Sequence, residues 1–329
     1  MLPPEREGPG RSSSPDPRGI HMADPINVID VVARIDEWRG KDVRCEELGG
    51  GITNHNYIVW VNGGWGNPGG GKYVLRVPGA GTDMFIDRDI ERECMIEVAR
   101  IGTAPRVAHI IEPEKAMVID FIDGEVMHPD TMAGHPERIK QAIESVRVYH
   151  DKAVFTNKIE IFDMLRRYTK VAKDIDAPMP ERLAALLERM PEIEEAVGRD
   201  PVPDVACQND LLSENFIIDA DGRMWIIDWE YGGMTDPYFD LGDHVMEHPY
   251  SREEERLIIE TYLGHMDERL FGRMMLYKIV SAVWWDVWAM IQHTVSKIDF
   301  DYMEWAMDRV GRAERGIADP DYQQWLAAQ

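Results

Sequence analysis

Residues 207–216, CQNDLLSENF, place Gln208, Asn209, Asp210 and Asn215 between apolar runs. A carboxylate followed five residues later by an amide matches two working parts of phosphoryl transfer: a base for the acceptor hydroxyl and an oxygen ligand for a hard cation. Taken alone, that spacing is more often a capped surface loop. The run NFIIDADGRMWIID (215–228) adds what is missing. It contains Asp221-Gly222, a two-residue hairpin signal between apolar strands. With those two residues as the loop, Ala220 pairs with Arg223 and Asn215 faces Asp228, side chains about 5 Å apart on one face. Such a pair is expected to grip Mg²⁺, which takes oxygen ligands and only one or two of them from protein. Glu230 is placed to engage a second ion or a metal-bound water. Asp210, on the entering loop, then stands on the substrate side, where it accepts a proton from an alcohol.

Elements able to hold these parts can be read on both sides. Helical spacing at Val28, Val31, Val32, Ile35 and Trp38 precedes three strand-like runs, 56–61, 72–77 and 116–122, with a helix at 87–101. The glycine-rich stretch at 62–71 is expected to be mobile. After Gly124 the pattern turns helical, at 136–150, 160–174, 181–197, 252–271, 273–297 and 301–315, broken by the 215–228 hairpin. The fold class is therefore α+β and two-lobed, with a small strand-rich lobe at 23–123 and a larger helical lobe at 124–329. Residues 1–22 read as a disordered leader without the apolar core of a signal peptide, and Met22 is an alternative start.

Bulk properties narrow the function. Against 36 Lys and Arg stand 60 Asp and Glu, a net charge of −24. Such a surface repels nucleic acid and anionic membranes and attracts small cations. No apolar stretch reaches the roughly 18 to 20 residues that span a bilayer. Cys45, Cys94 and Cys207 form no CxxC pair, so neither a disulfide framework nor a zinc site is suggested. A cytoplasmic protein, monomer or homodimer, is the expectation.

Residues 207–247 resemble the choline/ethanolamine kinase family, part of the aminoglycoside-phosphotransferase-like kinases. The family's H-N-D-x4-N loop, D-[WFY]-E-Y segment and F-D-[IL]-[GA]-[ND]-H segment correspond to Asp210 and Asn215, to Asp228-Trp229-Glu230-Tyr231, and to Phe239–His244 with Glu247. Residues 284–310 are similar to its W-x2-W-x3-Q and aromatic C-terminal helices, and LGGGITNHNYIV (48–59) to its nucleotide loop. The resemblance implies a protein-kinase-like fold and ATP with Mg²⁺. It implies phosphates held under Gly50, Gly51 and Thr53, with adenine along the connector that includes Asp120 and Ile122.

Arg76 stands where protein kinases place Lys, and its guanidinium can bridge phosphates and a helix carboxylate. Glu93 is the candidate partner, with Glu91 and Glu97 as alternatives. Gln208 replaces the family's His, and its amide both donates and accepts. A catalytically weak, kinase-like binding protein is the reading that this replacement leaves open. Trp285, Trp288 and Gln292 share one helix face. The resemblance places Trp305 and Glu247 at the same cation pocket. Aromatic faces attract a quaternary ammonium, which favours choline as the cationic alcohol; ethanolamine, an amino sugar or an aminoglycoside are the alternatives.

Overall fold

The computed structural model describes residues 27–49, 54–62, 70–79, 86–296, 298 and 300–329. The leader, most of the glycine-rich stretch, and Gly50, Gly51 and Thr53 lie outside the described residues.

Helix α1 (Val28–Val32) leads into an antiparallel sheet of β1 (Val43–Leu48), β2 (Asn54–Val61), β3 (Gly71–Pro78), β4 (Val107–Ile111) and β5 (Ala116–Asp120), ordered β1-β2-β3-β5-β4. Helix α2 (Arg88–Ile101) joins β3 to β4. The near-continuous apolar run of β5 follows from its two buried faces. Ala116 and Val118 pack with Val59, Leu75 and Val77 under α1, while Met117 and Ile119 join the main core with Met95 and Val98 of α2. Strands β1 and β4 escape the sequence reading because they are the sheet edges. There VRCEEL and VAHII mix polar with apolar residues.

Past Asp120 the chain leaves this sheet. Strand β6 (Gly124–Val126) is followed by α3 (Pro129–Met132), α4 (Pro136–Lys152), α5 (Ile161–Asp174), α6 (Glu181–Leu187) and α7 (Met190–Arg199). Then come β7 (Val205–Cys207), β8 (Phe216–Asp219), β9 (Met224–Ile226) and β10 (Gly233–Thr235). Four helices close the chain after α8 (Pro237–Glu247): α9 (Arg252–Leu263), α10 (Glu268–Val295), α11 (Tyr302–Ile317) and α12 (Tyr322–Ala328). Strand β6 pairs with β8, and β7 with β10.

Two expected helices are divided. The one at 181–197 breaks between α6 and α7, where Pro191 enters the first turn of α7. The one at 252–271 stops at Gly264, a left-handed cap with φ of 81°. The strand expected to reach 122 ends at Asp120.

Helix α10 is the axis of the larger lobe. From Phe271 to Ile291 nearly every side chain is buried, as for a helix that is apolar all round. By length and composition it could cross a membrane, but 94% of its apolar window is buried inside the protein, which makes it a core helix. Helix α8 reaches it at Gly242. A Cβ there would lie 2.7 Å from the Lys278 amide nitrogen and 2.8 Å from the Met274 carbonyl oxygen. Both are backbone atoms, so no side chain can yield. Gly242→Ala is expected to lower stability by about 2 kcal/mol or more, the usual cost of overpacking. An unchanged midpoint in urea denaturation would show that α8 can move away.

Candidate active site

The hairpin is built differently from the sequence expectation. Phe216 pairs with Ile226 and Ile218 with Met224, one residue out of the anticipated register. The cause is Asp219, whose Oδ1 accepts the N–H groups of Asp221 (3.0 Å) and Arg223 (2.9 Å). This carboxylate closes a three-residue loop in which Gly222 alone has positive φ, 77°. Asn215 therefore meets Ile227, which donates to its carbonyl at 2.9 Å, and does not face Asp228 across the ladder. Asp228 reaches the site another way. It takes a left-handed conformation with φ of 62°, as does Asn209 with 66°, next to Asp210. Asp and Asn are the non-glycine residues that tolerate this region best.

The loop carrying Asp210 is pinned by carboxylates on α8. Asp240, fully buried, accepts the backbone N–H groups of Gln208 (3.0 Å) and Asn209 (2.6 Å). It also accepts the Tyr149 hydroxyl (2.5 Å), and His150 Nε2 lies 3.0 Å away. Asp243 accepts the Leu211 N–H at 2.6 Å. Gln208 spans the gap to the next segment: its Oε1 accepts the Asp210 N–H (2.8 Å), and its Nε2 donates to the carbonyls of Ile227 (3.2 Å) and Asp228 (2.5 Å). Its amide thus uses both functions to brace the loop. Asn215 Nδ2 donates to the Asp210 carbonyl (2.8 Å), which fixes the orientation of its amide. His244 braces the Leu211 carbonyl, and His248 the Ser213 hydroxyl at 2.7 Å.

Arg76 ties the lobes together. Its Nη2 donates to Asp228 Oδ1 (2.7 Å) and to Glu91 Oε1 (3.1 Å) and lies 3.7 Å from Glu230. Arg88 bonds Glu91 at 2.6 Å, and Asn54 Nδ2 bonds Glu230 at 2.8 Å. The helix partner of Arg76 is therefore Glu91, not Glu93. Glu93, two residues on and so on the opposite face of the helix, is exposed and accepts from Thr156, while Glu97 pairs with Arg100. Oxygens of Asp228 and Glu230 lie within 4.8 Å of one another and of Glu91, whose carboxylate Arg76 and Arg88 already hold; the first two offer the hard oxygen donors that a magnesium ion takes. Burial first, then the carboxylates of Asp243 and Asp228, push the Asp210 carboxyl well above the usual range. Burial, reinforced by Asp228, also pushes Glu230 up, against the pull of Arg76.

In the connector, the Asp120 carboxylate pairs with Arg106 and its N–H with the Arg106 carbonyl, so that side chain is already committed; Ile122 is half-buried.

An aromatic wall runs from Tyr231 along α10 to α11. Ring centroids run from Tyr231 to Trp285 (5.1 Å), Trp285 to Trp288 (5.6 Å) and Trp288 to Trp305 (6.2 Å). Gln292 is half-buried one turn past Trp288. The Trp285 indole donates to Asp243 Oδ1 at 2.9 Å. Glu247, at the end of α8, is held by Arg309. Sequence reasoning missed Tyr231, Asp243 and Arg309 as members of this region. Asp243 and Tyr231 lie within the quoted motifs. Arg309, four residues past Trp305, was findable only from helical spacing.

Two lobes with the loop and acids between them define a kinase-like phosphotransferase fold. At the level of fold alone, an aminoglycoside phosphotransferase superposes with a TM-score of 0.60 and 17% identity, covering 84% of this chain and 96% of that one. A family model for choline/ethanolamine kinase matches residues 45–313. A choline/ethanolamine kinase family protein from Mesorhizobium loti is 30% identical with a TM-score of 0.78, over 91% of this chain and 96% of its own. Mouse ethanolamine kinase 2 is 26% identical over 302 residues, 83% of this chain and 76% of that protein. Protein LicA of Haemophilus influenzae is 24% identical over 266 residues, 77% and 75% of the two chains. The chain belongs to the choline/ethanolamine kinase family and is an enzyme, a kinase of the choline kinase type.

Burial lowers the His248 pKa to about 4, so the imidazole beneath the loop is neutral in the native state. The unfolded chain binds a proton near pH 6.5. The stability associated with neutral His248 is therefore present above pH 6.5 and lost as pH falls through 4, with a slope of up to about 1.4 kcal/mol per unit. His248→Gln should flatten that slope in urea titrations between pH 6.5 and 4; an unaltered slope would place the proton elsewhere.

Proposed function

We propose that the protein moves the γ-phosphoryl group of ATP to the hydroxyl of a small cationic amino alcohol, with choline the favoured acceptor, in the cytoplasm. Asp243 is the observation that carries this reading. One of its oxygens holds the loop beside Asp210 and the other holds the Trp285 indole. Base and aromatic wall are thus joined through a single carboxylate. An acceptor with its hydroxyl at Asp210 directs its ammonium group toward the rings, whose faces attract it.

Asp210 orients that hydroxyl and takes its proton as the phosphoryl group leaves ATP. Gln208 keeps the loop in register with Asp228. Asn215, Asp228 and Glu230 are the residues that would hold Mg²⁺, which supplies neutralisation of phosphate charge when bound. Arg76 turns its guanidinium from Asp228 to the nucleotide phosphates, with Glu91 retaining it. The nucleotide phosphates are assigned to the stretch that contains Gly50, Gly51 and Thr53, since glycine lets a ligand come close to a main chain, and adenine to the connector through Asp120 and Ile122. Trp285, Trp288, Trp305, Gln292 and Glu247 line the ammonium end.

In an assay of ADP release with Mg²⁺, turnover is expected to require the alcohol, and Asp210→Ala should lower it at least about 100-fold. Near-normal turnover in that variant would overturn Asp210 as the base. Trp288→Ala should raise KM for choline while leaving KM for ATP nearly unchanged; the opposite pattern would remove the rings from the acceptor site.

A further inference from the structure

We propose that Asp286 is a second seat for Arg309, to which the arginine passes when the acceptor's ammonium takes its place on Glu247. The inference rests on the amino-alcohol reading above. Asp286 lies on α10 between Trp285 and Trp288 and is fully buried, yet neither carboxylate oxygen has a partner among the described residues. An acid shut away from water without a hydrogen bond is rare in a folded protein, because it keeps its full desolvation cost. Burial pushes this carboxyl well above the usual range, and the strongest pull against that comes from Arg309 on α11. The arginine has an orphan of its own. Its buried Nε has no acceptor among the described residues, while Nη2 lies 2.7 Å from both oxygens of Glu247. Besides Glu247, the other charges facing Asp286 are committed elsewhere, Asp308 to Arg312 and Arg182 of α6 to Glu314.

Three buried polar atoms are thus unsatisfied while one arginine serves one of two acids. Glu247 is closed to a ligand in that arrangement, because Arg309 already holds both of its oxygens. A cationic acceptor gains Glu247 only by displacing the guanidinium. At 8% exposure, a displaced guanidinium needs another anion close by. Asp286 is that anion. Transfer gives Nε and the two carboxylate oxygens the partners they lack, and the planar fork of arginine suits a carboxylate held by two parallel bonds. Glu247 and Asp286 then face two cations, the ammonium and Arg309, so each acid has its own. The guanidinium carbon, 3.3 Å from the Trp305 ring centroid, leaves that ring face to the ammonium in the same movement. Asp286 touches no substrate; it is a positioning residue that acts through Arg309.

The test is made on Asp286→Asn, which keeps the shape and removes an unpartnered buried charge, so folding is expected to survive. Without the second seat Arg309 stays on Glu247, and KM for choline should rise about 10-fold. KM for ATP and kcat should stay within about 2-fold of the wild type. In an Arg309→Gln background there is no arginine to receive, so the same substitution should change KM for choline by less than about 2-fold. A purely structural acid would act equally in both backgrounds. That result overturns the proposal, as does an unchanged KM for choline in Asp286→Asn. A crystal structure of the wild type with choline and a non-hydrolysable ATP analogue reads the movement directly, whatever the variants do. Arg309 hydrogen-bonded to Asp286 is the expected result, and Arg309 still on Glu247 beside bound choline overturns the transfer. No ADP release with choline, ethanolamine or the N-methylated alcohols between them would instead overturn the amino-alcohol reading itself.

Discussion

Gathering carboxylates in one cleft is the constraint around which this site is built. Asp210, Asp228, Glu230 and Glu91 crowd between the lobes, and Asp240, Asp243 and Glu247 stand behind them on α8 and its end. At an effective dielectric constant of about 20, two such charges 5 Å apart repel by about 3 kcal/mol. The surrounding structure offsets that repulsion in three ways. Arg76 and Arg88 supply charge from the smaller lobe, and Arg309 supplies it from α11. The Asp210 loop turns its own backbone N–H groups onto Asp240 and Asp243. A hydrogen bond to an ionised acceptor is roughly twice as strong as a neutral one.

These compensations also determine the architecture. Because Arg76 bonds Asp228 and Glu91 together, β3, α2 and the segment after β9 are drawn to one point. The lobes meet through charge there and through the apolar contacts of α2. Behind the loop, α4 contributes Tyr149 and His150 to Asp240, so an internal helix of the larger lobe orients the peptide before Asp210. Left-handed backbone at Asn209 and Asp228 is held on both flanks by these bonds, in keeping with strain concentrated where geometry must be fixed.

The acceptor end depends on packing more than on charge. Helix α10 is buried on all sides, so its tryptophans belong equally to the core and to the wall. Gly242 lets α8 approach close enough for Asp243 to reach the Trp285 indole. A residue without a side chain at the helix crossing thereby sets the distance between the loop and the rings. In the proposed reaction, the cation site inherits its rigidity from that crossing.

Much of this was legible in the chain itself. The D-x4-N loop, the DWEY segment, the paired tryptophans and the long helices around them are local patterns, fixed by spacing and side-chain chemistry. Strand edges and helix breaks were less so, because β1 and β4 carry mixed side chains and Gly264 acts through its backbone. The hairpin register went to a competing local interaction: Asp219 closes a three-residue loop that Asp221-Gly222 alone does not announce. Ion-pair partners were the least legible. Glu91, Glu93 and Glu97 look alike in sequence, and only the angle at which α2 meets β3 gives Arg76 to Glu91. Likewise nothing near Glu247 in sequence names Arg309, 62 residues away. The sequence determined which groups are present and which faces they share, since those follow from the period of a helix or strand. The tertiary structure alone decided which acid each arginine neutralises, because a charge pairs with whatever the packing brings within about 4 Å.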